Sequence, residues 1–202
     1  MSDAASARST VRPRVGVLSI PNLLTIGRIV AVPAVAACLF VGDDPLWHWA
    51  AAVLFLAAAI TDFLDGYFAR LWSQQSALGR MLDPIADKLL VGAVLLMLVF
   101  DQTISGWSIW AALIILCREI VVSGLREFLA ELNVKLRVTW LAKWKTTIQM
   151  VALGMLLLAP AIGSTAPWAP GLGIALLWVA ALPTIFTGAE YLRAAVSTAM
   201  RH

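Results

Sequence analysis

Two neighbouring runs of this chain place acids where acids are costly. Thr61-Asp62-Phe63-Leu64-Asp65-Gly66-Tyr67-Phe68-Ala69-Arg70 closes one apolar stretch, and Gly79-Arg80-Met81-Leu82-Asp83-Pro84-Ile85-Ala86-Asp87-Lys88 opens the next. A charged side chain at the centre of a membrane helix costs roughly 2.5–3.5 kcal/mol on insertion scales, so four carboxylates at one membrane face need a use. At 3.6 residues per turn, Asp62, Asp65, Gly66 and Ala69 lie along one stripe of their helix, and Gly79, Asp83 and Asp87 along one stripe of the next. A short loop joins the two helices, which must run antiparallel, so the stripes are able to face each other. Four ionised carboxylates held close together repel strongly, and the sequence offers no set of cations placed to cancel them one by one. A pair of divalent metals would do so. Oxygen donors without His or Cys nearby favour a hard ion, Mg²⁺ or Mn²⁺. Two such ions suit phosphoryl chemistry, since they neutralise a diphosphate, stabilise its departure and hold an attacking oxygen in line. Gly66, Ala69 and Gly79 keep the same face free of bulk, which lets a nucleotide approach the backbone, although small residues also serve close helix packing in membranes.

The elements that must position these acids follow from composition. Of the 202 residues, 61% are hydrophobic and 13% charged, far more apolar than a water-soluble domain of this size. A spanning helix needs about 20 mostly apolar residues, and six such stretches are legible: Ile26 to Val41, Trp47 to Leu71, Leu82 to Phe100, Trp107 to Val122, Trp140 to Pro160 and Gly171 to Tyr191. The expected fold is an all-α integral membrane protein, a six-transmembrane-helix bundle with a short amphipathic amino-terminal helix over 18–25. Residues 1–17 read as a flexible cytoplasmic tail, and 18–202 as one domain.

Orientation comes from Lys and Arg, which stay on the cytoplasmic side. With both termini inside, all 15 basic residues fall at or near the inner face, and the outer loops hold Asp43, Asp44, His48, Asp101 and a Pro/Gly/Ser stretch without Lys or Arg. No small-residue cleavage site clearly follows the first apolar run, so that run reads as an uncleaved helix. Trp47, Trp49, Trp107, Trp110, Trp140, Trp144 and Trp168 sit near span ends as interfacial anchors. Cys38 and Cys117 lie in apolar runs and read as buried, inert thiols. The net charge of +3 is explained by topology and anionic lipid, and no nucleic-acid module is recognisable.

The pattern Asp62-x2-Asp65-Gly66-x2-Ala69-Arg70-x8-Gly79-x3-Asp83-x3-Asp87 resembles the signature of the CDP-alcohol phosphatidyltransferase family at all eight positions and every spacing. The resemblance implies a six-helix bundle, a homodimer, and a binuclear metal site near the cytoplasmic face of the cell membrane. It further implies Asp62, Asp65, Asp83 and Asp87 as metal ligands, with Asp87 also the base that takes the acceptor hydroxyl's proton. Gly66, Ala69 and Gly79 would line the cytidine pocket, Arg70 would lie by the diphosphate of CDP-diacylglycerol, and Asp65 would be a further CDP contact. The opening Pro21-Asn22-x-Leu24-Thr25-x2-Arg28 resembles that of bacterial members, which adds Thr25 and Arg28 to the CDP contacts.

The acceptor must be read elsewhere. Arg118, Arg126, Lys143, Lys145 and Arg193 gather at the inner ends of the last three spans and suit a phosphate-bearing acceptor, with Arg offering a fork of donors and Lys a point charge. Each also has a plainer reading as a residue reaching lipid headgroups. The runs Arg118 to Glu127 and Lys143-Trp144-Lys145-Thr146-Thr147-x-Gln149-Met150 are similar to bacterial members of the family that use glycerol 3-phosphate, which implies phosphatidylglycerol phosphate and CMP as products. No Ser, His or Cys is placed to form a covalent intermediate, so one direct displacement is expected. The same donor chemistry with phosphatidylglycerol, serine or inositol phosphate is the alternative. A small cation transporter would place acids near the bilayer midplane with polar residues continuing outward, and here the outer halves are apolar. A purely structural membrane subunit would leave the eight-position pattern unexplained.

Overall fold

The computed structural model describes residues 20–42, 44–72, 77–132 and 140–183, with the side chains of 20–22, 62–72, 77, 78, 80, 131 and 140–143 outside the description. The described residues form six helices and no strand. These are α1 (Ile20–Val41), α2 (Pro45–Trp72), α3 (Ala77–Phe100), α4 (Ser108–Glu131), α5 (Trp140–Ile162) and α6 (Ala169–Pro183). The tail expected over 1–17 and the last part of the expected sixth span lie outside the described residues.

Local chemistry explains several boundaries. Asp44 caps α2, its Oδ1 accepting from the Leu46 N–H at 2.9 Å, while Pro45 fills the first helical position, where no N–H is needed. The turn after α3 uses Asp101, whose Oδ1 accepts from Thr103 N–H at 2.9 Å, and Gly106, whose φ of 56° favours a residue without a Cβ. One expectation is corrected here. No separate surface helix precedes the first span in the described part of 18–25, because α1 runs unbroken from Ile20. Pro21 stands in its first turn, where proline is tolerated, and nothing between Asn22 and Thr25 interrupts the helix.

Three helices contain stretches long and apolar enough to cross a membrane, Leu23–Val41, Ser108–Ala130 and Trp144–Ile162, and shorter apolar stretches occupy Pro45–Thr61 and Ala169–Pro183. The first half of α3 carries Asp83, Asp87 and Lys88 and is amphipathic by comparison. Packing is that of a bundle: α1 lies against α2 and α3, α2 against α5, and α3 against α4 and α5. A core of Leu, Val, Ile and Ala with Phe55 runs through all six helices. At Gly173 of α6 a Cβ would stand 2.8 Å from Cδ2 of the fully buried Leu156 of α5, so these helices meet at a distance only glycine permits.

The outside of the bundle is equally informative. Large apolar side chains such as Val30, Phe40, Val53, Leu96 and Phe100 are more than half exposed, a surface that lipid rather than water covers. Trp47, Trp49, Trp107, Trp110, Trp144 and Trp168 are all exposed near helix ends. This is a membrane protein. Cys117 corrects the second expectation: Cys38 is buried, but Cys117 is exposed. Ala111, Ala112, Ile115 and Val122 carry the buried stripe of α4, and at 100° per residue Cys117 falls some way round from it.

Candidate active site

The site is built around the first half of α3. Asp83 and Asp87 are one turn apart, so they share a face, and both are partly buried. Thr25 of α1 donates its Oγ1 hydroxyl to Asp83 Oδ1 at 2.6 Å. Such a bond to a charged acceptor is short and strong, and it fixes which way the carboxylate turns. Thr25 and Arg28 are each 1% exposed, which places a hydroxyl and a guanidinium on the inward stripe of α1. Gly79 is buried, one turn before Asp83. Lys88 returns its Nζ to the Pro84 carbonyl at 3.1 Å, along α3 rather than toward the acids.

Asp62, Asp65, Gly66, Ala69 and Arg70 are helical, on the last part of α2, but their side chains lie outside the description. Among the described residues no three acids, histidines or cysteines converge as a metal cluster. What is described fits a hard cation. Asp83 and Asp87 are oxygen donors on one face, and Asp83 is already oriented by a neutral donor that leaves its charge uncancelled.

A second group of charges lies on α4 and α5. Lys145, on α5, has its side chain 2% exposed and places Nζ 2.5 Å from Glu119 Oε1 on α4. Arg118 Nη1 meets the same oxygen at 3.1 Å. The Lys145–Glu119 contact joins α4 to α5, and Asp87 on α3 exerts a weaker pull on the Lys145 charge. Of the cations expected to meet an acceptor phosphate, Arg118 and Lys145 are thus brought together. Arg126 is exposed two turns further along α4. The Lys143 side chain and Arg193 lie outside the described residues. Glu119 is the site residue that sequence reasoning passed over. Its signal was an acid next to Arg118 in an otherwise apolar span, the same argument that singled out the aspartates.

The same Asp87 also lines a cavity of about 490 Å³ between α2 and α5. Its walls are Ala52, Phe55, Leu56 and Ala59 on one side and Met150, Val151, Gly154 and Leu158 on the other, and Asp87, Thr146 and Thr147 are its polar members. An acid and two threonines among apolar walls give a surface for hydrocarbon a polar edge.

The bundle is that of a membrane protein with acids at one register, and the chain belongs to the CDP-alcohol phosphatidyltransferase family, which it matches over residues 18–186. It is similar to proteins named CDP-diacylglycerol–glycerol-3-phosphate 3-phosphatidyltransferase. That of Cereibacter sphaeroides is 42% identical across 88% of this chain and 96% of its own length. That of Rickettsia bellii is 46% identical across 87% and 94%, and that of Shigella flexneri 42% identical across 88% and 94%.

Proposed function

We propose that this protein transfers a phosphatidyl group from CDP-diacylglycerol to glycerol 3-phosphate, giving phosphatidylglycerol phosphate and CMP. The position of Asp87 carries this reading, because its carboxylate borders the apolar groove and its charge also acts on Lys145 of the Lys145–Glu119–Arg118 network. The relatives named above, similar along nearly their whole length, support the choice of acceptor.

In this reading the bundle is a six-span protein of the cytoplasmic membrane with both termini and the site facing the cytoplasm. All 15 basic residues then fall at or near the inner face, as the positive-inside rule requires. The homodimer rests on the family resemblance alone. The lipid donor enters from the inner leaflet, its hydrocarbon meeting the α2/α5 groove and its cytidine the small residues Gly66, Ala69 and Gly79. Arg70, Thr25 and Arg28 attend the diphosphate. Asp62, Asp65, Asp83 and Asp87 would hold two Mg²⁺ or Mn²⁺ ions, which supply positive charge to the departing CMP phosphate.

Arg118, Lys145, Lys143, Arg126 and Arg193 bind and orient the acceptor phosphate, leaving the primary hydroxyl free. Asp87 accepts the hydroxyl proton as its oxygen attacks the phosphorus that bears diacylglycerol. The bond from that phosphorus to the CMP oxygen breaks in the same displacement, and the electron pair leaves with CMP.

Release of CMP from CDP-diacylglycerol by the purified protein tests this, with glycerol 3-phosphate compared against serine, inositol phosphate and phosphatidylglycerol. Turnover only with glycerol 3-phosphate, lost on chelation, restored by Mg²⁺ or Mn²⁺ and absent in Asp87→Asn is the expected result. Turnover with another acceptor would overturn the acceptor assignment, and CMP release in a burst without acceptor would overturn the direct displacement.

A further inference from the structure

Glu119 stands where an acceptor-binding site should have no use for a negative charge. Its Oε1 is shared by Lys145 Nζ from α5, 26 positions away, and by Arg118 Nη1 from its own helix. A site meant only to attract phosphate would leave both cations unneutralised. Yet Lys145 is buried to 2% side-chain exposure and Glu119 to 17%, and a buried ammonium is tolerated only when paired and hydrogen-bonded. An ammonium has three donors, and a guanidinium five. Glu119 Oε1 takes one contact from each.

The location gives this arrangement its direction. Lys145 reaches from α5 to the α4 acid, and Asp87 of α3 adds a weaker pull on the same charge. Lysine has four rotatable side-chain bonds and loses much rotamer freedom when fixed. A short contact from a largely buried acid on the neighbouring helix removes that freedom before any ligand arrives.

We infer that Glu119 is a positioning residue for the acceptor phosphate, holding Lys145 and Arg118 in one fixed arrangement so that the phosphate meets two pre-oriented cations. This rests on the acceptor reading above and adds to it a residue that does not itself touch substrate. Pre-organisation lowers the cost of binding, so Glu119 acts on the acceptor and not on the lipid donor, although on charge alone removing a nearby acid favours an anion.

The test is steady-state CMP release by the full-length protein in detergent micelles. Each substrate is varied at saturating concentration of the other, in wild type, Glu119→Gln, Glu119→Asp, Lys145→Gln and the double variant Glu119→Gln/Lys145→Gln. Glu119→Gln is expected to raise KM for glycerol 3-phosphate about tenfold, the scale of one charge-assisted contact, with KM for the donor changed by less than about twofold. Glu119→Asp recovers part of the loss. The double variant is no worse than Lys145→Gln alone, because the acid works through the lysine.

An unchanged or lower acceptor KM in Glu119→Gln overturns the inference, as do equal rises for both substrates or additive losses in the double variant. Should Glu119→Gln fail to fold with its lysine left unpaired, the double variant, which removes both charges, is decisive: an acceptor KM at the wild-type level overturns the inference. A wild type that ignores glycerol 3-phosphate sinks the acceptor reading and this inference together, whereas normal wild-type turnover with a flat Glu119→Gln response sinks this inference alone.

Discussion

Thr25 and Asp83, 58 positions apart in the chain, are joined by a hydrogen bond of 2.6 Å from hydroxyl to carboxylate. The bond ties α1 to α3 at the level of the candidate site. It also fixes an acid whose rotation would otherwise cost the site a ligand, since outer partners of a metal-binding carboxylate orient it.

Thr25→Val keeps the shape and removes the donor. Turnover should fall on the order of tenfold, with the Mg²⁺ requirement shifted to higher concentration, as losses of such supporting partners are typically 10- to 100-fold. Thr25→Ser restores the hydroxyl and should restore most of the activity. CMP release titrated with Mg²⁺ reads both, and a fully active Thr25→Val would remove Asp83 orientation from the account.

Gly154 lies in the wall of the α2/α5 groove, where an added Cβ would come no closer than 4.0 Å to Phe55. There is room for Gly154→Leu, and the side chain would occupy space assigned to lipid. KM for CDP-diacylglycerol should rise by a factor of about ten, in line with one or two kcal/mol of displaced apolar contact, while KM for glycerol 3-phosphate stays put. Equal effects on both substrates would mean that the groove serves packing and not the donor.

Gly173 makes the opposite prediction. A Cβ there would collide with Leu156, which is fully buried. Gly173→Val should destabilise the protein by about 1–3 kcal/mol, the usual cost of overpacking, seen as a lower thermal midpoint in detergent. Pairing it with Leu156→Ala should recover part of the loss; if it recovers nothing, the α5/α6 contact is not where the strain arises.

Much of the architecture was legible because its cause is local. Apolar runs of spanning length mark α1, α4 and α5, and the acids of α2 and α3 announce themselves by their cost in lipid. Helix ends were harder. α4 continues to Glu131, well past Val122, because the polar residues Arg118, Ser123, Arg126 and Glu127 look like the end of a span but are good enough helix residues to continue beyond one. Asp44 read as a loop charge and is a cap, a role set by backbone geometry at the helix start.

Lys145 shows the limit most clearly. Its residue type suggested a free cation for an acceptor, and the structure buries it against Glu119, a pairing across 26 positions that periodicity on a single helix does not reveal. Thr25 and Asp83 were likewise both named from sequence, but their contact depends on how α1 settles on α3.

That contact also sets an order of assembly during synthesis. α1 leaves the ribosome first, with a buried-type hydroxyl at Thr25 and a guanidinium at Arg28 that lipid cannot satisfy. The Asp83 carboxylate is made 58 residues later, about the length of two further helices. Until then α1, though apolar enough to span, lacks the partner that closes this bond. The three helices α1 to α3 therefore form the smallest piece of this protein able to enter lipid with that bond closed, so a chain cut after α2 should be retained and degraded rather than released as a stable fragment.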